Sequence, residues 1–180
     1  MMKKPLLLLL ITAIASFGFG FTTSQNTVTR SAITFTIKNL GINTGGTIAG
    51  LQADVKFDPA NLASSTIEAS VDVNTINTDN TLRDDHLKNG EFFDASHYPK
   101  ITLKSVSLKH KSGNNYSGKF NLTIKNKTKL IELPFICTDK GNAIALNGSF
   151  KLNRLDFGVG GNSLIMGDAV TISIVVNTKK

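Results

Sequence analysis

The sequence predicts an all-β domain, either a sandwich or an up-and-down barrel of about eight antiparallel strands, with one helical excursion. Three observations support this prediction. Apolar and polar residues alternate along most of the chain, which is the pattern of strands with one buried and one wet face. Residues that favour turns interrupt the alternation roughly every 8–15 residues. Only one stretch, from Thr78 to Ser105, lacks the alternation and has a helical pattern.

Residues 1–20 are predicted to be a cleaved secretory signal peptide. Two lysines form a basic start, and the apolar run Pro5–Ile14 is too short to span a bilayer. Small residues suitable for cleavage follow at Ala15 and Gly20. The alternative is an uncleaved anchor. We therefore expect an exported protein, periplasmic or secreted, with a single folded domain at 27–178.

The first half of that domain contains three alternating segments, at about 27–39, 49–57 and 67–73. Glycines interrupt the pattern at 41–46, and we interpret these residues as a turn. The Asp-Pro sequence at 58–61 is a second turn, because Asp and Pro favour turn geometry. Three strands are therefore predicted before the central stretch.

The central stretch predicts a short helical segment at about 79–95. Thr78 or Asp79 can accept a hydrogen bond from a free N–H as the N-cap, and Asn89-Gly90 can supply a left-handed C-cap. Pro99 marks the start of the next strand. Of the helical residues, Leu82, His86 and Leu87 are predicted to face inward, and Arg83, Asp84 and Lys88 to face water. An apolar segment in this position has to cover either a solid core or a cavity.

The second half returns to β structure, with one irregularity. The side-chain parity switches near Lys104–Ser105, which predicts a β-bulge. The glycine-rich stretch 158–167 is predicted to be a flexible loop. The alternating segments are about 101–108, 116–124, 131–137, 144–152 and 170–176.

Charge and cysteine content exclude some classes of protein. The formal net charge is +7, of which two charges belong to the predicted signal peptide. Lys125, Lys127 and Lys129 alternate as on the wet face of a strand, although such a row could also attract anionic lipid head groups. Without Trp or interleaved basic and aromatic residues, nucleic acid is not expected as a partner. Cys137, in an apolar run, is expected to be a buried hydrophobe.

Enzyme motifs are absent from the sequence. The three histidines have spacings that match no common metal pair, and Asp84-Asp85-His86 cannot converge on one point from adjacent helical positions. No phosphate-binding glycine loop and no nucleophile elbow occurs. A binding or structural protein is therefore favoured over an enzyme, with a hydrolase or isomerase as a minor alternative.

The apolar inward rows are compatible with a filled core or with a cavity. Small residues on otherwise bulky faces, at Ala49, Ala53, Ala69 and Gly118, would leave room. An eight-stranded barrel is just wide enough to be filled or to hold one slim ligand. The pattern alone leaves both possibilities open. A cavity of this composition would suit an aliphatic or isoprenoid chain, because burial of each methylene is worth about 0.8 kcal/mol.

Five segments in order resemble the signature of the YceI-like family of exported bacterial proteins. The densest match lies in the central stretch, where His86–Asp94 (HLKNGEFFD) precedes Tyr98–Leu103 (YPKITL). One departure is Asn126, where the family often has Gly; Asn tolerates positive φ, so the bend should survive. The other matching segments are Phe35–Gly41, Phe57–Pro59, Gly118–Lys129, and Arg154–Gly158 followed by Gly167–Val170.

This resemblance implies a lipocalin-like antiparallel eight-stranded β-barrel with a short helical segment at about 79–95. It also implies a non-catalytic protein that binds a polyisoprenoid or similar amphiphilic lipid in the barrel, as carrier, store or scavenger. No cofactor, metal or nucleic acid is expected beyond that lipid, and contact with a membrane surface would be transient. The oligomeric state stays open, with a homodimer as one option. The alternative is a filled barrel, structural or stress-related, that acts through a protein partner.

The ligand is expected to contact the apolar inward rows and the segment around the helix. A charged head group could meet Arg83, His86, Lys88 or Arg154, although each could equally be an ordinary surface residue. The predicted contact residues are Phe35, Ile37, Leu51, Val71, Leu82, His86, Leu87, Phe92, Phe93, Tyr98, Ile101, Leu103, Phe120, Leu122, Phe150 and Phe157.

Overall fold

The computed structural model describes residues 27–179, so the predicted signal peptide at 1–20 lies outside the described residues. The helix α1 is Thr81–Lys88, and short 3-10 turns cover Val73–Thr75 and Arg154–Phe157. In this part of the chain no helix is long and apolar enough to cross a membrane. The strands are β1 Thr27–Asn39, β2 Ile42–Ile48, β3 Gln52–Lys56, β4 Thr66–Asp72, β5 Lys100–Ser112, β6 Asn115–Ile124, β7 Lys127–Asp139, β8 Ala143–Asn153 and β9 Met166–Lys179.

These strands form one antiparallel sheet in the order β2-β1-β9-β8-β7-β6-β5-β4-β3. Sequence neighbours pair along most of the sheet, and the pairing of β1 with β9 joins the two ends of the domain. The sheet curls into a half-barrel whose apolar rows pack inside it. The predicted all-β antiparallel architecture with one short helix is therefore confirmed, with nine strands in place of the predicted eight.

The additional strand is β2. Its two glycines were predicted to be part of a turn. Gly45 and Gly46 lie within the strand, opposite Thr36 and Phe35 of β1. A Cβ on Gly45 would collide with the carbonyl oxygen of Phe35, and a Cβ on Gly46 with the carbonyl oxygen of Asn77. Glycine is needed here because two backbones approach closely, which is a known role of glycine inside strands.

The strands β2 and β3 together close one side of the half-barrel. β2 pairs with Ile33–Asn39 of β1; after the connector at 49–51 the chain continues as β3, which pairs with β4. Two backbone hydrogen bonds of 2.8 and 3.0 Å join Thr47 to Asn77, beyond the end of β4. The strand β1 also lies close to β3, with no ladder pair described between them. The half-barrel therefore has a seam between β1 and β3.

The ends of α1 differ from the prediction. The N-cap is Asn80 rather than Thr78 or Asp79, because its side-chain oxygen accepts a hydrogen bond from the Arg83 backbone N–H at 3.0 Å. The C-cap residue Asn89 is extended, with φ of −69°, so the predicted left-handed cap is wrong. The turns that follow α1 lead to β5 directly after Pro99, as the sequence predicted.

The predicted faces of α1 are also wrong. No residue of α1 is buried, and Leu82, which was expected to face inward, is 84% exposed. Asp84 Oδ1 accepts hydrogen bonds from the backbone N–H and the hydroxyl group of Thr78 at 2.8 and 2.5 Å. Arg83 donates to the hydroxyl and carbonyl oxygens of the same residue at 2.8 and 2.6 Å. Because Thr78 is buried, polar contacts rather than an apolar face anchor the helix.

Two features of the second half test the local predictions. The register between β5 and β6 shifts between Ser105 and Ser107, which confirms the predicted β-bulge. In the turn between β6 and β7 the positive φ, 55°, belongs to Lys125 and not to Asn126. Lys125 Nζ donates to the carbonyl oxygens of Gly90 and Gly158 at 3.1 and 3.2 Å, so this turn is tied to both neighbouring loops.

Candidate functional site

The interior of the half-barrel contains an apolar cavity of about 150 Å³. All nine strands contribute side chains to its wall, as the inward parity of each strand requires. Apart from Ser70, Thr102 and Gly148, every lining residue has an apolar side chain. Since no charged group lines the wall, the cavity has the chemistry to hold hydrocarbon.

Three packed aromatic rings close one end of the cavity. Phe57 meets Tyr116 edge-on at 5.2 Å between ring centroids, and meets Phe135 edge-on at 5.8 Å. Tyr116 and Phe135 stack at 5.6 Å. Such geometries are the favourable ones for aromatic pairs. Burial raises the pKa of the Tyr116 phenol, with a smaller effect of Cys137 nearby, and Cys137 is itself buried as predicted.

The segment after α1 packs on a second hydrophobic cluster, together with the loop that follows β8. Phe92 and Phe93 pack against a cluster that contains Phe157 and Val159. The Phe92 ring lies so close to Gly160 that a Cβ there would stand 2.9 Å from it. Leu122 and Ile124 belong to this cluster and also line the cavity, so the phenylalanines of the central stretch pack next to the cavity wall. That the central stretch covers a ligand cavity stays a prediction.

Arg154 organises the loop that was predicted to be flexible. Its side chain is only 3% exposed. The guanidinium group donates to four carbonyl oxygens within residues 159–167 at 2.8 to 3.4 Å, and to Asp168 Oδ1 at 2.9 Å. All five N–H groups therefore point into the protein. Arg154 is an ordered internal anchor, and the expectation that it could be a surface residue or meet a head group is wrong.

The triplet Asp84-Asp85-His86 does not converge on one point. Asp84 is bound to Thr78, Asp85 lies 3.4 Å from Lys88 Nζ, and the His86 ring packs on Phe92 at 4.9 Å. Within residues 27–179 no group of three or more His, Cys, Asp or Glu side chains is placed to hold a metal ion.

The predicted contact residues divide into three sets. Contact with a ligand stays a prediction for all of them. The cavity wall contains Leu51, Val71, Ile101, Leu103, Phe120, Leu122 and Phe150. The cluster at one end contains Phe92, Phe93 and Phe157. The third set lies outside both the cavity wall and that cluster, and consists of Phe35, Ile37, Leu82, His86, Leu87 and Tyr98.

The wall also contains residues that were not predicted as contacts. For all of them except Ile48 the signal was available, because they lie on the inward rows of predicted strands. They include Ile33, Ile48, Val55, Leu133, Phe135, Leu146, Ile172 and Ile174.

Two of the four small residues do leave room, and two do not. Ala53 and Ala69 line the cavity. At Gly118 the ring of Phe120 occupies the space that a Cβ would need, so this position is filled. Ala49 is exposed in the connector between β2 and β3. Of the four predicted positions, only Ala53 on β3 and Ala69 on β4 therefore border the open space.

A curled antiparallel half-barrel around an apolar cavity defines a lipocalin-like β-protein. The model of the YceI-like domain matches residues 25–178. The chain belongs to the YceI-like family.

Relatives and solved structures agree with this assignment. A UPF0312 protein of Vibrio cholerae is 27% identical over 169 residues, covering 88% of this chain and 89% of its own length. A UPF0312 protein of Yersinia pestis is 30% identical over 136 residues, covering 71% and 69%. Burkholderia cenocepacia BcnA superposes with a TM-score of 0.78 at 27% identity, covering 82% of this chain and 95% of that one.

A more distant structure shares the fold alone. It is a domain from Saccharophagus degradans described as a polyisoprenoid binding domain implicated in plant cell wall breakdown. Its TM-score is 0.68 at 12% identity, and the match covers 86% of this chain and 97% of that domain.

Proposed function

We propose that this protein binds the hydrocarbon chain of an isoprenoid or other long-chain amphiphilic lipid in the half-barrel, without catalysis. The observation that carries the proposal is the cavity itself, whose wall is apolar and bears no charged side chain. A polar head group would stay outside, where water can solvate it. The polyisoprenoid binding described for the Saccharophagus degradans domain supports this choice of ligand by analogy of fold.

The size of the cavity limits how much of a chain fits without rearrangement. A cavity of about 150 Å³ takes a group of roughly six carbon atoms, as engineered cavities of that size take benzene. At about 0.8 kcal/mol for each buried carbon, this gives about 5 kcal/mol. That alone corresponds to a dissociation constant on the order of 0.2 mM. Tighter binding requires a longer buried segment.

The two ends of the interior offer a route to that longer segment. Three side chains pack on both hydrophobic clusters: Leu103, Ile131 and Phe150. They therefore connect the cluster that contains Tyr116 and Phe135 with the cluster that contains Phe157 and Val159. Rotation of Leu103 or Phe150, which also line the cavity, would lengthen the cavity along the barrel axis. We propose that a chain enters between the clusters and displaces these side chains.

Export belongs to the same proposal. The predicted signal peptide at residues 1–20 would deliver the protein to the periplasm or outside the cell, where a carrier or scavenger of lipids can act.

The small volume also favours the second candidate, a filled barrel that acts through a protein partner. Typical ligand pockets enclose about 300–1,000 Å³, more than the space present here. On this hypothesis the remaining space is a packing defect and no chain lipid enters it.

Native mass spectrometry separates the two candidates. The mature chain is purified from its own host, then unfolded, delipidated and refolded, and offered geranylgeraniol or palmitate. The proposal expects a co-purifying lipid in the first sample and a stoichiometric adduct in the second. If the host material carries no lipid and the refolded protein takes up neither probe, the lipid proposal is wrong and the filled barrel remains.

A further inference from the structure

Two adjacent turns carry four exposed large apolar side chains at one end of the sheet. Leu40 and Ile42, between β1 and β2, are each 70% exposed. Leu164 and Ile165, just before β9, are 107% and 55% exposed. The backbone N–H of Leu40 donates to the carbonyl oxygen of Ile165 at 2.7 Å, so the two turns form one unit. We name these four residues the apolar tip.

The backbone of Leu40 adopts a conformation that is unusual for leucine. Leu40 has φ of 52° and Gly41 has φ of 77°, so both central residues of the turn are left-handed. Asn, Asp and Gly favour such positions, whereas a bulky side chain is strained there. Neither burial nor backbone preference accounts for a leucine at this position. A contact made by the side chain outside the folded chain would account for it.

The charges around the tip are those of a surface that meets anions. The two turns of the apolar tip, residues 40–41 and 162–165, contain no carboxylate. Lys38 is exposed directly beside them. Of the acidic residues that flank the glycine-rich loop, Asp156 is exposed, and Asp168 is bound to the buried Arg154.

The other exposed apolar residues do not form such a unit. Leu82 lies on α1. The others lie on strands that are not neighbours in the sheet: Val106 on β5, Leu130 and Ile136 on β7, and Val175 on β9. These residues are single side chains on polar surfaces, which are ordinary in folded proteins.

We propose that the apolar tip inserts into the surface of a lipid bilayer, with Lys38 facing anionic head groups. The choice of a bilayer rests on the proposed function, because a chain lipid resides in a membrane before it is bound. The shape supports it too: the side chains project from turns, with Leu164 fully exposed, and so form a convex tip and not a flat face. A fluid lipid surface can surround such a tip, in the manner of interfacial segments.

Vesicle flotation of the mature chain tests the proposal. The vesicles contain phosphatidylethanolamine and phosphatidylglycerol, with pure phosphatidylcholine as the uncharged comparison. The variants are Leu40→Asn and Leu164→Ser at the tip, Lys38→Gln beside it, and Leu82→Ser as the matched exposed leucine elsewhere. Each leucine variant at the tip is expected to lower the vesicle-binding constant by about tenfold or more, because burial of one leucine side chain contributes at least that factor to the constant. Leu82→Ser should leave binding unchanged.

Two further measurements show whether a loss of vesicle binding comes from the lost charge or from a loss of folding. Lys38→Gln should weaken binding to the anionic vesicles and leave binding to phosphatidylcholine unchanged. Leu40→Asn should melt at or above the Tm of the wild type, because Asn tolerates positive φ. A loss of vesicle binding in that variant therefore cannot come from misfolding.

Several outcomes would overturn the proposal. The proposal is wrong if the wild type does not bind vesicles, or if Leu82→Ser loses as much vesicle binding as the tip variants. It is also wrong if the protein sediments as a dimer and Leu40→Asn abolishes that dimer. Failure of the proposed lipid ligand is separately visible, because uptake of geranylgeraniol is measured by native mass spectrometry without vesicles. Tip variants that still take up that probe but no longer float with vesicles are the expected result.

Discussion

Ala69→Leu is the substitution that most directly measures whether the interior is open to a ligand. Ala69 lies on β4, opposite Ala53 on one side and Leu103 on the other, and its side chain lines the cavity. A leucine at this position adds three carbon atoms that can enter space which is now empty.

The expected magnitudes follow from the size of that space. The three added carbons occupy about half of a cavity of about 150 Å³ that takes roughly six carbon atoms. Their burial gains up to about 2.4 kcal/mol, offset by side-chain strain, so the net change in the free energy of unfolding should be within about 1 kcal/mol of zero. A bound chain loses the same three carbons of contact, which weakens binding by about 2.4 kcal/mol, or roughly sixtyfold.

The assay is urea denaturation for stability, together with a binding titration of geranylgeraniol. The matched control is Gly118→Ala, where the new Cβ would meet Leu108 at 2.9 Å and collide with the Phe120 ring. It should destabilise the fold by about 1–3 kcal/mol and leave the affinity of the folded protein nearly unchanged. If Ala69→Leu destabilises as much as the control, or leaves lipid affinity intact, the interior is not an open binding cavity.

Three further predictions concern the fold and its pH dependence. Arg154→Met should lower the free energy of unfolding by about 3 kcal/mol, because four carbonyl oxygens lose their donor, as chemical denaturation would detect. Gly46→Ala should destabilise strongly, because the new Cβ would collide with the carbonyl oxygen of Asn77 and with the side chains of Phe35 and Thr78, whereas Gly90→Ala, with open space around it, should be neutral. The hydrogen bond from Ser117 holds the pKa of Glu132 below its usual 4.5. The resulting stabilisation is present above pH 4.5 and is lost as pH falls through the lowered pKa, so Glu132→Gln should flatten that loss.

Each of these predictions has an outcome that contradicts it. Lys151→Met removes an exposed cation from β8, and if it costs as much as the change at Arg154 then burial of the guanidinium is not the cause. Equal stability of Gly46→Ala and the wild type would mean that β2 does not close against Asn77. For Glu132, the free energy of unfolding of the variant and of the wild type is compared between pH 6 and pH 3. If the two curves stay parallel, the Glu132 carboxylate is not the cause of the loss of stability at low pH.

Eight of the nine strands could be located from the sequence because each keeps one face wet and one face buried, and that alternation is visible locally. The strand β2 could not be located. Gly45 is required by the close carbonyl oxygen of Phe35 and Gly46 by that of Asn77. Both partners lie outside β2, so nothing within the strand distinguishes it from a turn.

The candidate site was predictable to the extent that it depends on strand parity. Wall residues such as Leu103 and Phe150 follow from alternation. The orientation of α1 did not follow, because two turns of helix carry too few apolar residues to define a face, and polar contacts with Thr78 decide it instead. The burial of Arg154 was also hidden, because its partners are mainly backbone carbonyl oxygens, which have no signature in a sequence.

The pairing of β1 with β9 has a consequence for how the chain reaches its folded state. Thr27 pairs with Lys179, so the first strand finds its main partner only when the last strand is available. Pairings between strands so far apart form slowly, because a long loop must close first. A chain that is still emerging can form the hairpins from β5 to β8, but it cannot complete the half-barrel. No finished cavity therefore exists until both ends of the domain have been synthesised, which is compatible with the proposed export of an unfolded chain.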